Sequence, residues 1–134
     1  MRPAVVALTA LLAACGTTTV DTSITAPPTG RPPVTEVTVP ADATPRELLA
    51  IVLDGLQHLD DQVVERRGDA SALERIEQAW VLVEPHLRYE RPEFLFGFEE
   101  VMVLARTAVE RRRPADASKA YRIAATLLAD YDEA

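Results

Sequence analysis

The chain has 134 residues and a formal net charge of −7 at pH 7. That balance disfavours nucleic acid as a partner, because phosphate binding needs a basic face. One cysteine excludes an intramolecular disulfide and any multi-cysteine metal site. The 48% hydrophobic content includes only 5% aromatic residues, so the apolar mass is mainly Ala, Val and Leu, which favours helices over a β-sandwich.

Met1-Arg2 is a minimal basic start, and Ala4 to Ala14 is an apolar run of the length of a secretion signal, too short to span a bilayer as a helix. The run ends in Leu12-Ala13-Ala14-Cys15-Gly16. This resembles the lipobox of bacterial lipoprotein precursors. The resemblance implies a diacylglycerol on the Cys15 thiol, cleavage before Cys15 and acylation of the new amino terminus with a long chain such as palmitate. Two or more acyl chains anchor a protein stably where one holds it only reversibly. The competing reading, ordinary signal cleavage beside an incidental cysteine, places Leu12 where the peptidase prefers a small residue. The expectation is a signal peptide over 1–14 and an extracytoplasmic protein held to a bacterial membrane by lipid.

Residues 15–44 are rich in Thr, Pro and Val, with Pro27-Pro28 and Pro32-Pro33 favouring extended geometry. Few large apolar residues are present to offset the entropy of ordering. The stretch reads as a disordered spacer with a reach of roughly 90 Å when fully extended. The alternation Val34, Val37, Val39 leaves a short strand added to a partner as a second reading.

From residue 45 to 134 the pattern predicts an all-α domain, an antiparallel up-down-up-down four-helix bundle. Thr44-Pro45-Arg46-Glu47 is a helix start with a capping box. Leu49, Val52, Leu56, Leu59 and Val63 form one stripe, and Gly68 supplies a stop after Arg66-Arg67. A second helix starts near Asp69 or Ser71, with Ser71 and Glu74 as a capping box and Leu73, Ile76, Trp80, Val83 and Leu87 inward. Pro85 is expected to kink it or end it near Val83. A third helix starts near Pro92, with Phe94, Phe98, Val101, Ala105 and Ala108 inward. Its interior Gly97 costs about 1 kcal/mol relative to Ala unless another backbone packs close. The fourth starts around Pro114 to Asp116 and carries Ala117, Ala120, Ala124, Leu127 and Tyr131. Short connections make neighbouring helices antiparallel. Stacked helical hairpins of the tetratricopeptide type are the runner-up, opposed by the absence of a repeat of about 34 residues.

The metal candidates are Asp54, His58, Asp61 and Glu65, spaced four, three and four along the first helix, with His86 near the end of the second. One-turn spacing of His and carboxylates suits Zn or another divalent ion, but the same positions lie opposite the core stripe, and a solvated face is the favoured reading. A b-type haem between Met102 and a histidine is the remaining cofactor arrangement, against ordinary core packing of Met102; no cofactor is expected. Arg66-Arg67 and Arg111-Arg112-Arg113 fall at helix C-termini, where cations complement the dipole. Both runs are expected at one end of the bundle, as a dipole partner or as a docking end for an anion or protein. Tyr89, Phe94, Phe96 and Phe98 cluster about one turn, with Phe96 off the inward stripe; an exposed patch there would be a contact surface, and core packing against Trp80 is the favoured reading. No Ser/His/Asp set is recognisable, and the expected activity is non-enzymatic: a protein-interaction or structural module of the cell envelope, or else a metal- or haem-binding accessory of an uptake system. The paired helices are loosely similar to the helical domains of imelysin-like periplasmic metal-uptake proteins; no metal motif accompanies that similarity, so no residue role follows.

Overall fold

The computed structural model describes residues 39–134, which are all-helical. The signal segment 1–14, Cys15 and the spacer up to residue 38 lie outside the described residues. Five helices follow in order: α1 Pro45–Leu56, α2 Leu59–Glu65, α3 Asp69–Glu90, α4 Pro92–Glu110 and α5 Pro114–Glu133.

Each helix start has a local cause. At α1, Thr44 accepts from the Glu47 N–H while Glu47 accepts from the Thr44 N–H at 2.7 Å and its hydroxyl at 2.7 Å. Those donors hold the Glu47 carboxyl below its usual range. Pro92 and Pro114 open α4 and α5, where a missing N–H has no intrahelical partner to lose. The expected Ser71–Glu74 capping box does not start α3: the helix begins at Asp69 with Gly68 as its cap at φ +85° and no side-chain cap.

The first predicted helix is two. α1 ends at Leu56, Gln57 and His58 interrupt the ladder, and α2 resumes at Leu59. Asp60 and Asp61 then occupy the first turn of α2, where carboxylates complement the positive helix end. Asp60 also accepts from the Asp61 N–H at 2.9 Å and from the Ser118 hydroxyl of α5 at 2.7 Å. These contacts exist only because the ladder breaks. The break also redirects the chain: α1 packs on α3 and α5, whereas α2 packs mainly on α5.

Pro85 neither ends nor interrupts α3, which runs on to Glu90. Proline removes one i→i−4 bond and crowds the carbonyl four residues back, that of Val81. Val81 and Pro85 are both exposed, so water can satisfy that carbonyl. An arginine in the left-handed region follows each of α2 and α4: Arg66, directly after α2, at φ 54°, and Arg112, two residues beyond α4, at φ 53°. The following amides close the ends: Arg67 N–H to Gln62 O at 3.2 Å, and Arg113 N–H to Ala108 O at 2.9 Å.

Packing closes a ring. α3 lies against α1 and α4, α4 against α3 and α5, and α5 against α4 and the α1–α2 pair. Leu49, Val52, Leu56, Leu59 and Val63 are all buried, as are Ile76, Val83, Leu87, Phe98, Val101, Ala105 and Ala108. On α5 the buried face is Ala117, Ala120, Ala124 and Leu128, with Leu127 only partly covered. At the α3–α4 turn, Phe94 meets Tyr131 edge to face at 5.4 Å, and the Arg91 guanidinium lies 4.9 Å and 4.6 Å from the two ring centres. Val39 is buried at 7% exposure and Ala43 packs against the same core. The packed region therefore starts before the Thr44 boundary read from the sequence, because a valine and an alanine find apolar partners there.

Gly55 and Gly97 mark two close approaches with different consequences. A Cβ at Gly55 would lie 2.5 Å from Cγ1 of the fully buried Ile76 of α3; one at Gly97 would meet the tip of Leu127 at 2.7 Å, a side chain and not another backbone. Leu127 is partly exposed and can rotate away. Gly55→Ala is therefore expected to destabilise by about 1–3 kcal/mol through overpacking. Gly97→Ala is expected to be neutral or stabilising by up to about 1 kcal/mol. Urea unfolding of the two variants checks the contrast.

Candidate functional site

The two basic runs converge at one end of the molecule. The α4–α5 turn carries Arg111 to Arg113, and Arg112 reaches the carboxylate of Asp69, the first residue of α3, which directly follows the turn bearing Arg66 and Arg67. Asp69 is the one buried charged residue among the described residues, at 5% exposure. Its position at a helix N-terminus and its guanidinium partner together offset the desolvation of a buried charge.

Much of that positive charge is already answered. Besides Arg112 on Asp69, Arg113 pairs with Asp116 at 3.0 Å and Arg67 with Glu65 at 3.5 Å. Arg66 and Arg111 have no ion pair among the described residues. The end is a mosaic of both signs, poorly suited to concentrate an anion. Sequence reading singled out the arginines but missed Asp69 and Asp116 as partners of Arg112 and Arg113; the signal was their place in the first turns of α3 and α5.

The metal candidates do not come together. Asp54, His58, Asp61 and Glu65 share one face only on a continuous helix, and the break at Gln57–His58 puts Asp61 and Glu65 on a different helix from Asp54. Asp54 pairs with Arg75 at 2.9 Å. His86 sits on α3, its Nε2 3.2 Å from the Tyr131 hydroxyl and its Nδ1 3.4 Å from Glu90; Glu84 turns instead to Arg88. The α2 end of the molecule touches α5 at Ser118 and His86 touches it at Tyr131, roughly 20 Å apart along that helix. His58 and His86 thus have no common ion to share. Met102 is buried in α4. Among the described residues no group of three or more His, Cys, Asp or Glu is placed to hold a metal ion.

What the surface does expose is apolar. Tyr89 is 81% exposed and Phe96 83%, on either side of the α3–α4 turn, and Val81, Leu82 and Val103 are also exposed on the same two helices. Of the aromatic cluster about this turn, Phe94 and Phe98 go inward as their spacing requires, and Phe96 outward. Core packing, the favoured expectation for this cluster, therefore fails for Tyr89 and Phe96, and Val103 could not be told from the inward residues because Met102 and Leu104 flank it.

A comparison with protein-family models finds no match, and comparisons with curated proteins and with solved structures find none either.

Arg112→Ala leaves Asp69 buried and unpaired and is expected to cost about 2 kcal/mol, less than the roughly 3–5 kcal/mol of breaking a fully buried pair because Arg112 is half exposed. Arg111→Ala is expected to stay within about 0.5 kcal/mol of the parent. Denaturant midpoints of the two variants distinguish a structural from a spectator arginine.

Proposed function

We propose that the protein is a membrane-anchored lipoprotein of the bacterial cell envelope. Lipid on Cys15 holds it to the bilayer outside the cytoplasm, and its helical domain is a non-enzymatic interaction module. The observation that carries the interaction reading is the exposure of Tyr89 and Phe96 beside the α3–α4 turn. Large aromatic surface left in water has a free-energy cost that a partner would remove, and Tyr and Phe are enriched at such contacts. The anchoring reading rests on Leu12-Ala13-Ala14-Cys15. No helix among the described residues is long and apolar enough to cross a membrane, so attachment would fall to the lipid.

In this reading the domain is an antiparallel up-down-up-down four-helix bundle, with α1 and α2 as one interrupted member. Its support is the pairing of element ends. Arg46 at the start of α1 meets Asp132 at the end of α5 at 2.9 Å, and Asp69 at the start of α3 meets Arg112 beyond the end of α4. The spacer and α1 would then join at the end of the bundle that carries Tyr89, Phe96 and Tyr131, with the arginine mosaic at the other end. The envelope partner would dock on the α3–α4 face in preference to the arginines, whose charge is largely neutralised.

Intact mass of the mature protein from membranes of its own host tests the anchor. The expected mass starts at Cys15 and includes acyl chains, whereas a product without lipid removes this part of the proposal. For the interaction surface, a photoreactive residue at Phe96 in whole cells is expected to give one discrete protein adduct, and the same residue at the exposed Arg122 of α5 none. Equal labelling from both positions, or none from Phe96, contradicts the assignment of the surface.

A further inference from the structure

A second regular stripe runs along α4 on the side away from the core. Phe96, Glu99, Val103 and Arg106 follow one another at steps of three, four and three, the spacing that keeps residues on one face of a helix. The inward residues Phe98 and Val101 stand two positions from Phe96 and Val103, about 200° around the helix. Phe96 is 83% exposed and Val103 60%, and they lie about 10 Å apart along the axis. An apolar pair at this interval is what one helix offers to another laid along it. Charge narrows the kind of helix. Between Asp69 and Glu110, nine carboxylates stand against four arginines. All four arginines are engaged: Arg75 with Asp54, Arg88 with Glu84, Arg91 with Glu93 and Arg106 with Glu77. Glu99, between the two apolar residues, has no ion pair among the described residues.

We propose, resting on the reading of this face as a docking surface, that a basic amphipathic helix of the partner seats on the α4 stripe, with apolar residues over Phe96 and Val103 and Lys or Arg over Glu99. Such a helix supplies the cation that Glu99 lacks and covers the two apolar side chains in one contact. A second copy of the chain fits worse. A two-fold axis at the middle of the stripe brings the Glu99 carboxylates of both copies together, whether the two α4 helices run parallel or antiparallel, and like charges there oppose contact. An anionic bilayer fits worse too, because the arginines that would attract it are already paired.

The test is binding of the full chain to a synthetic helical peptide about three heptads long, with Leu at the inward positions and Lys beside them, and to its twin with Glu in place of Lys. The Lys peptide is expected to bind, and the Glu twin at least about tenfold more weakly. Phe96→Ser or Val103→Ser is expected to weaken the Lys peptide about tenfold, and Glu99→Gln about two- to fivefold. Glu133→Gln removes an equal charge from the exposed end of α5 and is expected to change nothing, which separates a seat on α4 from general attraction to an acidic protein. Circular dichroism checks that the variants are folded. No binding of either peptide, equal binding of both, or equal losses from Glu99→Gln and Glu133→Gln overturns the basic helix. Sedimentation of the chain with phosphatidylglycerol vesicles also overturns it and gives the stripe to a lipid surface. The docking surface itself is tested apart, by the Phe96 adduct: an adduct whose partner segment lacks Lys and Arg overturns the basic helix and leaves the surface in place.

Discussion

Three fully buried alanines, Ala117, Ala120 and Ala124, set how near α5 can lie to α4 on one side and to α1 and α2 on the other. Small side chains let helix axes approach, and dispersion falls off steeply with any added gap. The larger volumes come from the facing helices: Leu49, Leu56 and Leu59 from the first pair, Phe98 and Met102 from α4, all fully buried or nearly so. Because α5 touches every other helix but α3 closely, a change in its depth would move most of the core. The same close approach brings Ser118 to Asp60 and Tyr131 to Phe94 and His86, so polar contacts at both ends of α5 depend on its alanine face.

That arrangement explains which parts of the fold could be read in the sequence. Apolar spacing identified most of the buried residues of α1, α2 and α4, missing Leu48 beside Leu49, because packing there follows the helical period. The capping box at Thr44 and the prolines at 92 and 114 were legible because each acts within its own first turn. The break after Leu56 was not, since Leu56 and Leu59 keep the three-residue step across it, although Gly55 stands in the last turn before it. Asp60-Asp61, a pair suited to a fresh helix start, was the available cue. Pro85 misled for the opposite reason: its local penalty is real, but its exposure to water offsets it. On α5, Leu127 and Leu128 both fit the stripe, and only the angle at which α5 meets its neighbours chose Leu128.

The candidate site was legible in part. The two arginine runs could be singled out because each follows the end of a helix. Their neutralisation by Asp69, Asp116 and Glu65 is a matter of three-dimensional pairing that spacing does not encode. The four-residue metal pattern around His58 depended on one continuous helix and dissolved with the break. An exposed patch at Tyr89 and Phe96 was one of two readings of the aromatic cluster, whereas the exposure of Val81, Leu82 and Val103 came only with the structure. Structure thus shifts attention from the arginines, three of which are paired, to the exposed apolar residues of α3 and α4.

The central claim is that the fold is carried by the α5-centred core while Tyr89 and Phe96 remain free for a partner. Equilibrium urea unfolding of a chain carrying both Tyr89→Ser and Phe96→Ser tests it most directly. The expected free energy of unfolding stays within about 0.5 kcal/mol of the parent, as for surface positions that hold nothing in place. A loss of about 3 kcal/mol or more, the cost of truncating a buried aromatic, would show that these two residues hold the domain together and would contradict the account.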